Sequence, residues 1–199
     1  NHHNTTRQTR IYAKFPLPKG GESLSSQEVC AELPTQAPYI INVSVQETSL
    51  SVGEIYVRWT TPLSVDSLTF PPPYSYRLLR GEGLIENNNY IDIGIQLNDL
   101  DTFYTDQNLN TFDLGYYYKV VLFSEGNSVD TSQFASSVRL NTSGGYQQIS
   151  LNWEANVPWS NTSSSFPYHY IYRKNNIGNF DLIDSVDVVL NGMDYTDVG

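Results

Sequence analysis

One cysteine, one methionine and three histidines are all that 199 residues hold of those types. Cys30 therefore has no second cysteine in the chain, and an internal disulfide is excluded; any partner must lie outside this sequence. Basic residues are also scarce, with 11 Lys and Arg against 21 Asp and Glu, a net charge of −10. A chain of that sign is repelled by phosphate backbones and anionic headgroups, which argues against nucleic acid and against peripheral membrane attachment. No run of 18 apolar residues occurs, so no helix here could cross a bilayer. The opening stretch, Asn1-His2-His3-Asn4-Thr5-Thr6-Arg7, is polar and unlike a secretory leader. The catalytic signatures G-x-S-x-G, H-E-x-x-H and the Walker loop are missing, and no cofactor or metal site is expected. These absences point away from an enzyme.

Aromatics, by contrast, are plentiful: 15 of the residues are tyrosine, and 13% are aromatic. Such side chains suit a pleated, half-buried surface. Apolar residues recur in short alternating runs bounded by Gly, Pro, Asn and Ser, and almost nowhere with helical spacing. The chain reads as all-β. It also repeats itself. Ile55-x-Val57-x-Trp59 is echoed by Ile149-x-Leu151-x-Trp153 at an offset of 94 residues, and Tyr76-x-Leu78 is matched to Tyr170-x-Tyr172 at the same offset. Tyr104-Thr105-Asp106 returns as Tyr195-Thr196-Asp197, 91 residues on. A repeat of that length is the size of one seven-stranded sandwich.

Strands are predicted at 39–46, 54–59, 74–80, 90–95, 102–106, 115–123 and 134–140, which completes one unit. A second begins after Ser143-Gly144-Gly145, with strands at 149–153, 168–173, 180–183 and 195–197. In front, 11–15 and 23–33 read as the closing strands of a preceding unit. The expected division is thus 1–36, a complete unit at 37–142, and the first part of another at 143–199, within a longer parent chain. In this scheme Trp59 and Trp153 fill equivalent core positions, and Tyr116 and Tyr118 open the sixth strand.

The Ile55 to Pro62 strand with its tryptophan and the Tyr116-x-Tyr118-x-Val120 strand resemble fibronectin type III modules. The resemblance implies a buried tryptophan on the second strand and a tyrosine corner at the sixth. Ordered phrases are similar to the large gliding-motility-associated surface proteins of Bacteroidota. They include Glu32-Leu-Pro, Ile41-Asn-Val-Ser-Val, Tyr104-Thr-Asp, Ala135-Ser-Ser-Val and Asn156-Val-Pro-Trp-Ser-Asn161. That likeness covers roughly residues 9–199. It implies export by the type IX secretion system, an extracellular, outer-membrane-associated location, and partners among the proteins of a surface assembly. In that family the preceding module often carries a cysteine that could pair with Cys30; the corresponding position here is about Gln8, so no disulfide is carried over.

Trp159, Phe166 and Tyr168 are the candidate ligand or partner contacts, and Tyr172 joins them as a surface aromatic that could carry a glycan. The plainer reading of Trp159 is a plug at the end of a sandwich or at a joint between modules. His169 lies in an alternating strand and is expected to decorate a sheet face. Asp99, Asp101, Asp106, Asp194 and Asp197 have the oxygen chemistry of a Ca²⁺ site but match no EF-hand spacing, and turn formation explains them more simply. The expected role is a non-catalytic structural and protein-interaction module. Alternatives are a spacer in a secreted hydrolase, or a carbohydrate-binding module.

Overall fold

The computed structural model describes residues 6–9, 29–32, 36–98, 101–155 and 167–198. Near the start, β1 (Thr6–Thr9) pairs antiparallel with β2 (Val29–Glu32), and the register sets Gln8 opposite Cys30. The strand expected at 11–15 lies outside the described residues.

Two facing sheets follow. In one, β3 (Tyr39–Glu47), β4 (Gly53–Thr60) and β7 (Phe103–Leu109) lie in the order β3-β4-β7. In the other, β8 (Tyr116–Ser124) is central, with β5 (Tyr74–Glu82) and then β6 (Ile91–Asn98) on one side. Its other edge takes β9 (Asn127–Thr131) and β10 (Ala135–Ser136) in succession. Three strands against five, all antiparallel, with β9 and β10 sharing one edge of β8, make a fibronectin type III sandwich.

Alternation explains the packing. In β4, Ile55, Val57 and Trp59 are buried, while the residues between them turn outward. They meet Tyr76 and Leu78 of β5 and Tyr116, Tyr118, Val120 and Leu122 of β8. The Trp59 indole lies edge-on to Tyr76, with ring centroids 5.7 Å apart. β8 is buried on its other face as well: the Tyr117 ring lies over Gly81, where an added Cβ would come within 2.1 Å of it.

A second set of strands follows after two residues, Ser137 and Val138. β11 (Arg139–Gly145), β12 (Gln148–Glu154) and β15 (Asp194–Asp197) form one sheet, in the order β11-β12-β15. β13 (Tyr168–Lys174) and β14 (Phe180–Asp187) form another, and a single helical turn, α1 (Val188–Asn191), connects β14 to β15. Among the described residues, Trp153, Ile171 and Val186 form its buried apolar cluster. The whole is nearly all-β, as the patterning predicts.

Two details differ from the sequence expectation. Residues 139–142 do not close the central sandwich but pair with β12, from Arg139 opposite Glu154 to Gly145 opposite Gln148. Ser143 therefore sits within a strand, and the change of sheet falls at Ser137-Val138. The other concerns the repeat. Tyr76, Leu78 and Arg80 face inward from β5, and the inward face of β13 carries His169, Ile171 and Arg173. The match of Tyr76 to Tyr170 is one residue out, because Tyr170 is 61% exposed. In a strand a one-residue slip exchanges the faces.

Candidate interaction face

The inward faces of the two sandwiches hold related polar clamps. Across the central core, Arg80 Nη1 donates to both oxygens of Asp106 at 2.9 Å, and the Tyr118 hydroxyl donates to Asp106 Oδ2 at 3.0 Å. The Tyr116 ring lies beneath the guanidinium, 5.7 Å away. Asp106 is buried, so its charge is held in place by these donors. In the following unit Arg173 Nη1 meets Asp197 at 2.9 and 3.0 Å, from matching strands. Asp194 accepts from Asn152 Nδ2 at 2.7 Å. These carboxylates are engaged by the protein's own donors, and among the described residues no three acidic, His or Cys side chains converge on a cation position. Asp99 lies outside the described side chains.

His169 does not decorate an outer face. Its Nδ1 accepts a hydrogen bond of 2.8 Å from Trp153 Nε1, so the imidazole occupies the place that Tyr76 holds beside Trp59. Burial lowers its pKa below the ordinary 6.5, in keeping with a neutral ring that accepts. Trp59 has no such acceptor, and its Nε1 is buried without a hydrogen-bond partner.

On the reverse side of β13, Tyr168, Tyr170 and Tyr172 stand in a row, each 54–61% exposed. The neighbouring strand extends the row. Leu182 is opposite Tyr172, Phe180 is opposite Lys174, and both are exposed. The hairpin that carries them is fixed by Asn175, whose Oδ1 accepts from the Ile177 and Asn179 backbone amides, and by Gly178 at φ +92°. The result is a row of exposed aromatic side chains with hydroxyl groups on the β13–β14 hairpin, whose register shifts between Ile171 and Tyr172. It can stack against apolar or sugar surfaces and donate hydrogen bonds, but it holds no nucleophile–base pair.

Of the residues singled out from the sequence, Trp59 and Trp153 are buried at 1% and 6% exposure, and Tyr116 and Tyr118 line the central core. Tyr168 is exposed and belongs to the stripe. Trp159 and Phe166 lie outside the described residues. Tyr170, Leu182 and Phe180 went unnoticed; the signal was the parity of β13, which puts Tyr168, Tyr170 and Tyr172 outward once Ile171 is inward.

No family model matches the chain, and no curated protein does either. Solved structures with similarity include one described as titin kinase and its flanking domains, at 15% identity and a TM-score of 0.36, covering 71% of this chain and 30% of that one. Another is the FN1–FN3 domains of chicken CNTN1, at 14% identity and a TM-score of 0.34, covering 90% of this chain and 60% of that one. The chain thus spans 30% and 60% of their lengths. Its fold is read from its own strand order.

Proposed function

We propose that this chain is a non-catalytic structural and protein-interaction segment of a large surface or secreted protein, divided near 1–36, 37–138 and 139–199. The observation that carries the reading is the exposed stripe of Tyr168, Tyr170 and Tyr172 on a sheet whose opposite face is packed. Large apolar surface grouped on one face marks a contact region. The setting, in gliding motility, adhesion or a type IX secretion-associated assembly on the outer surface, is supported by the ordered phrases set out above. The partner is a protein of that assembly.

A retention assay on cells stripped of the parent protein tests this. Wild-type chain should rebind, and the Tyr170→Ser, Tyr172→Ser double variant should not, with the thermal midpoint of the chain unchanged. Equal retention of both proteins, or of neither, removes the reading. The same stripe also suits a neutral glycan, since tyrosine rings stack on sugar faces. A glycan array separates the two: specific binding of wild-type chain, lost in the double variant, favours the sugar, and no bound glycan leaves the protein partner.

A further inference from the structure

The connection between β14 and β15 carries a reactive pair. Of the asparagines in the chain, Asn191 alone is followed by glycine. In such a pair the next backbone nitrogen can reach the side-chain carbonyl carbon, because glycine puts no Cβ in the way. Every other asparagine precedes a residue whose side chain crowds this approach. Several are also tied down. Asn175 Nδ2 donates to Asp181 at 2.9 Å, Asn152 Nδ2 to Asp194 at 2.7 Å, and Asn110 Nδ2 to Asp113 at 3.0 Å.

Asn191 and Gly192 are both exposed, and among the described residues no hydrogen bond holds the Asn191 carboxamide. Asn191 ends α1, a single turn that buries none of its residues. So short a helix gains little from its own hydrogen bonds, and its end opens readily to free the Gly192 amide. Gly192 continues at φ +75°, on the side of backbone space that glycine adopts without strain.

We infer that Asn191 is a site of spontaneous deamidation, with water as the co-reactant. The Gly192 nitrogen bonds to Asn191 Cγ, the Cγ–Nδ2 bond breaks, and ammonia leaves with the proton that Gly192 gives up. A cyclic succinimide results, and water opens it at either carbonyl. Opening at Cγ gives aspartate. Opening at the Asn191 main-chain carbonyl gives isoaspartate, in which the main chain runs through Cβ. No electron is transferred. Both products add a negative charge to a chain already at −10. Isoaspartate also lengthens the short link of Gly192 and Met193 that joins α1 to β15. The Met193 carbonyl accepts from the Trp153 amide at 3.1 Å, so the added atom loosens β15 against β12.

Ageing the folded chain in warm, mildly alkaline buffer tests this, with peptide mass mapping to locate each exchange of an amide for an acid. Asn191 should convert about ten-fold faster than any other asparagine, since only it precedes a residue without a Cβ. Asn191→Gln, which would have to close a larger ring, should stay unmodified at that position and keep the thermal midpoint of the fresh chain. A methyltransferase specific for isoaspartate should label the aged wild-type chain at this peptide and leave the variant unlabelled there. Aged wild-type chain should also show faster amide exchange in β15, with β4, β5 and β8 unchanged. Conversion of Asn191 no faster than that of the other asparagines overturns the inference. So does conversion in a urea-unfolded sample alone, which would mean that α1 protects the pair in the folded chain.

Discussion

At the scale of single residues, the stability of the central sandwich turns on how one buried carboxylate is held. Asp106 receives Arg80 and Tyr118, and burial, followed by the Asp106 charge and hydrogen bond, keeps the Tyr118 hydroxyl well above the ordinary tyrosine range. Tyr118 is therefore a donor at any pH of interest. Tyr118→Phe removes one bond to a charged group and should cost about 1.5–3 kcal/mol in chemical denaturation. Asp106→Ala should cost more, about 3–5 kcal/mol, because it strands the Arg80 charge in the core. Similar losses for the two variants would show that Arg80 reaches solvent once it is released. His169 yields a second prediction. Its pKa is lower in the folded chain than the unfolded value near 6.5, so the unfolded chain binds the proton more readily. The contribution of the Trp153–His169 contact is whole above pH 6.5 and is lost as the pH falls through the folded pKa. Protonation puts two donors face to face, at a cost of about 1 kcal/mol. Acid should thus destabilise the following unit, and His169→Phe should abolish that part of the pH dependence. Tryptophan emission followed across a pH series of melts reads it.

At the scale of elements, alternating apolar runs carried most of the fold. Ile55-x-Val57-x-Trp59 could be placed as an inward-facing strand from spacing alone, and so could Tyr116-x-Tyr118-x-Val120. Strands with little apolar content escaped. β11 reads Arg-Leu-Asn-Thr-Ser-Gly-Gly and is exposed along its whole length, so nothing in its pattern shows a buried side. Its Ser-Gly-Gly looks like a joint, yet the chain turns only at Tyr146-Gln147, with Gln147 at φ +54°. β9 was hidden behind Glu125-Gly126, where both residues have positive φ and make a tight hairpin. The tyrosine stripe was only partly legible for a related reason: the alternation of β13 separates Tyr168, Tyr170 and Tyr172 from His169, Ile171 and Arg173, but tyrosine suits an inward face as well as an outward one, so alternation alone does not say which set meets solvent. The Tyr117 layer behind β8 was also invisible, because it depends on a glycine in another strand. Gly81→Ala should force that ring off the sheet, lifting it from its hydrogen bond to Asn87 and its edge contact with Tyr90. Overpacking of this type costs about 1–3 kcal/mol. Pairing it with Tyr117→Ala should give a loss smaller than the sum of the two single losses, as measured by a double-mutant cycle in urea; strict additivity would place the ring elsewhere.

At the scale of the whole molecule, the two sandwiches differ in how much apolar surface they bury. Thirteen buried side chains form the core of the central unit, and three form that of the strands after Ser137, among the described residues. Both rest on a tryptophan and an Arg–Asp clamp, but Arg80 and Asp106 are largely buried, whereas the Arg173 side chain is 49% exposed. Local opening free energy follows buried apolar contact, so the two regions should not unfold as one cooperative block. Hydrogen exchange gives the direct measurement. Amides of β4, β5 and β8 should exchange only through global opening of the central sandwich, with the slowest rates in the chain. Amides of β12, β13 and β15 should exchange faster by a factor set by their smaller core, and should accelerate further below pH 6.5 once the known pH dependence of the chemical step is removed. Leu78→Ala should speed exchange in the central sandwich, since a fully buried leucine truncated to alanine costs about 2–5 kcal/mol, while leaving β12 and β13 little changed. Ile171→Ala should do the reverse. If either substitution raised exchange across both sandwiches equally, the chain would be one cooperative body, and the small joint at Ser137-Val138 would be transmitting stability that the cores alone do not supply.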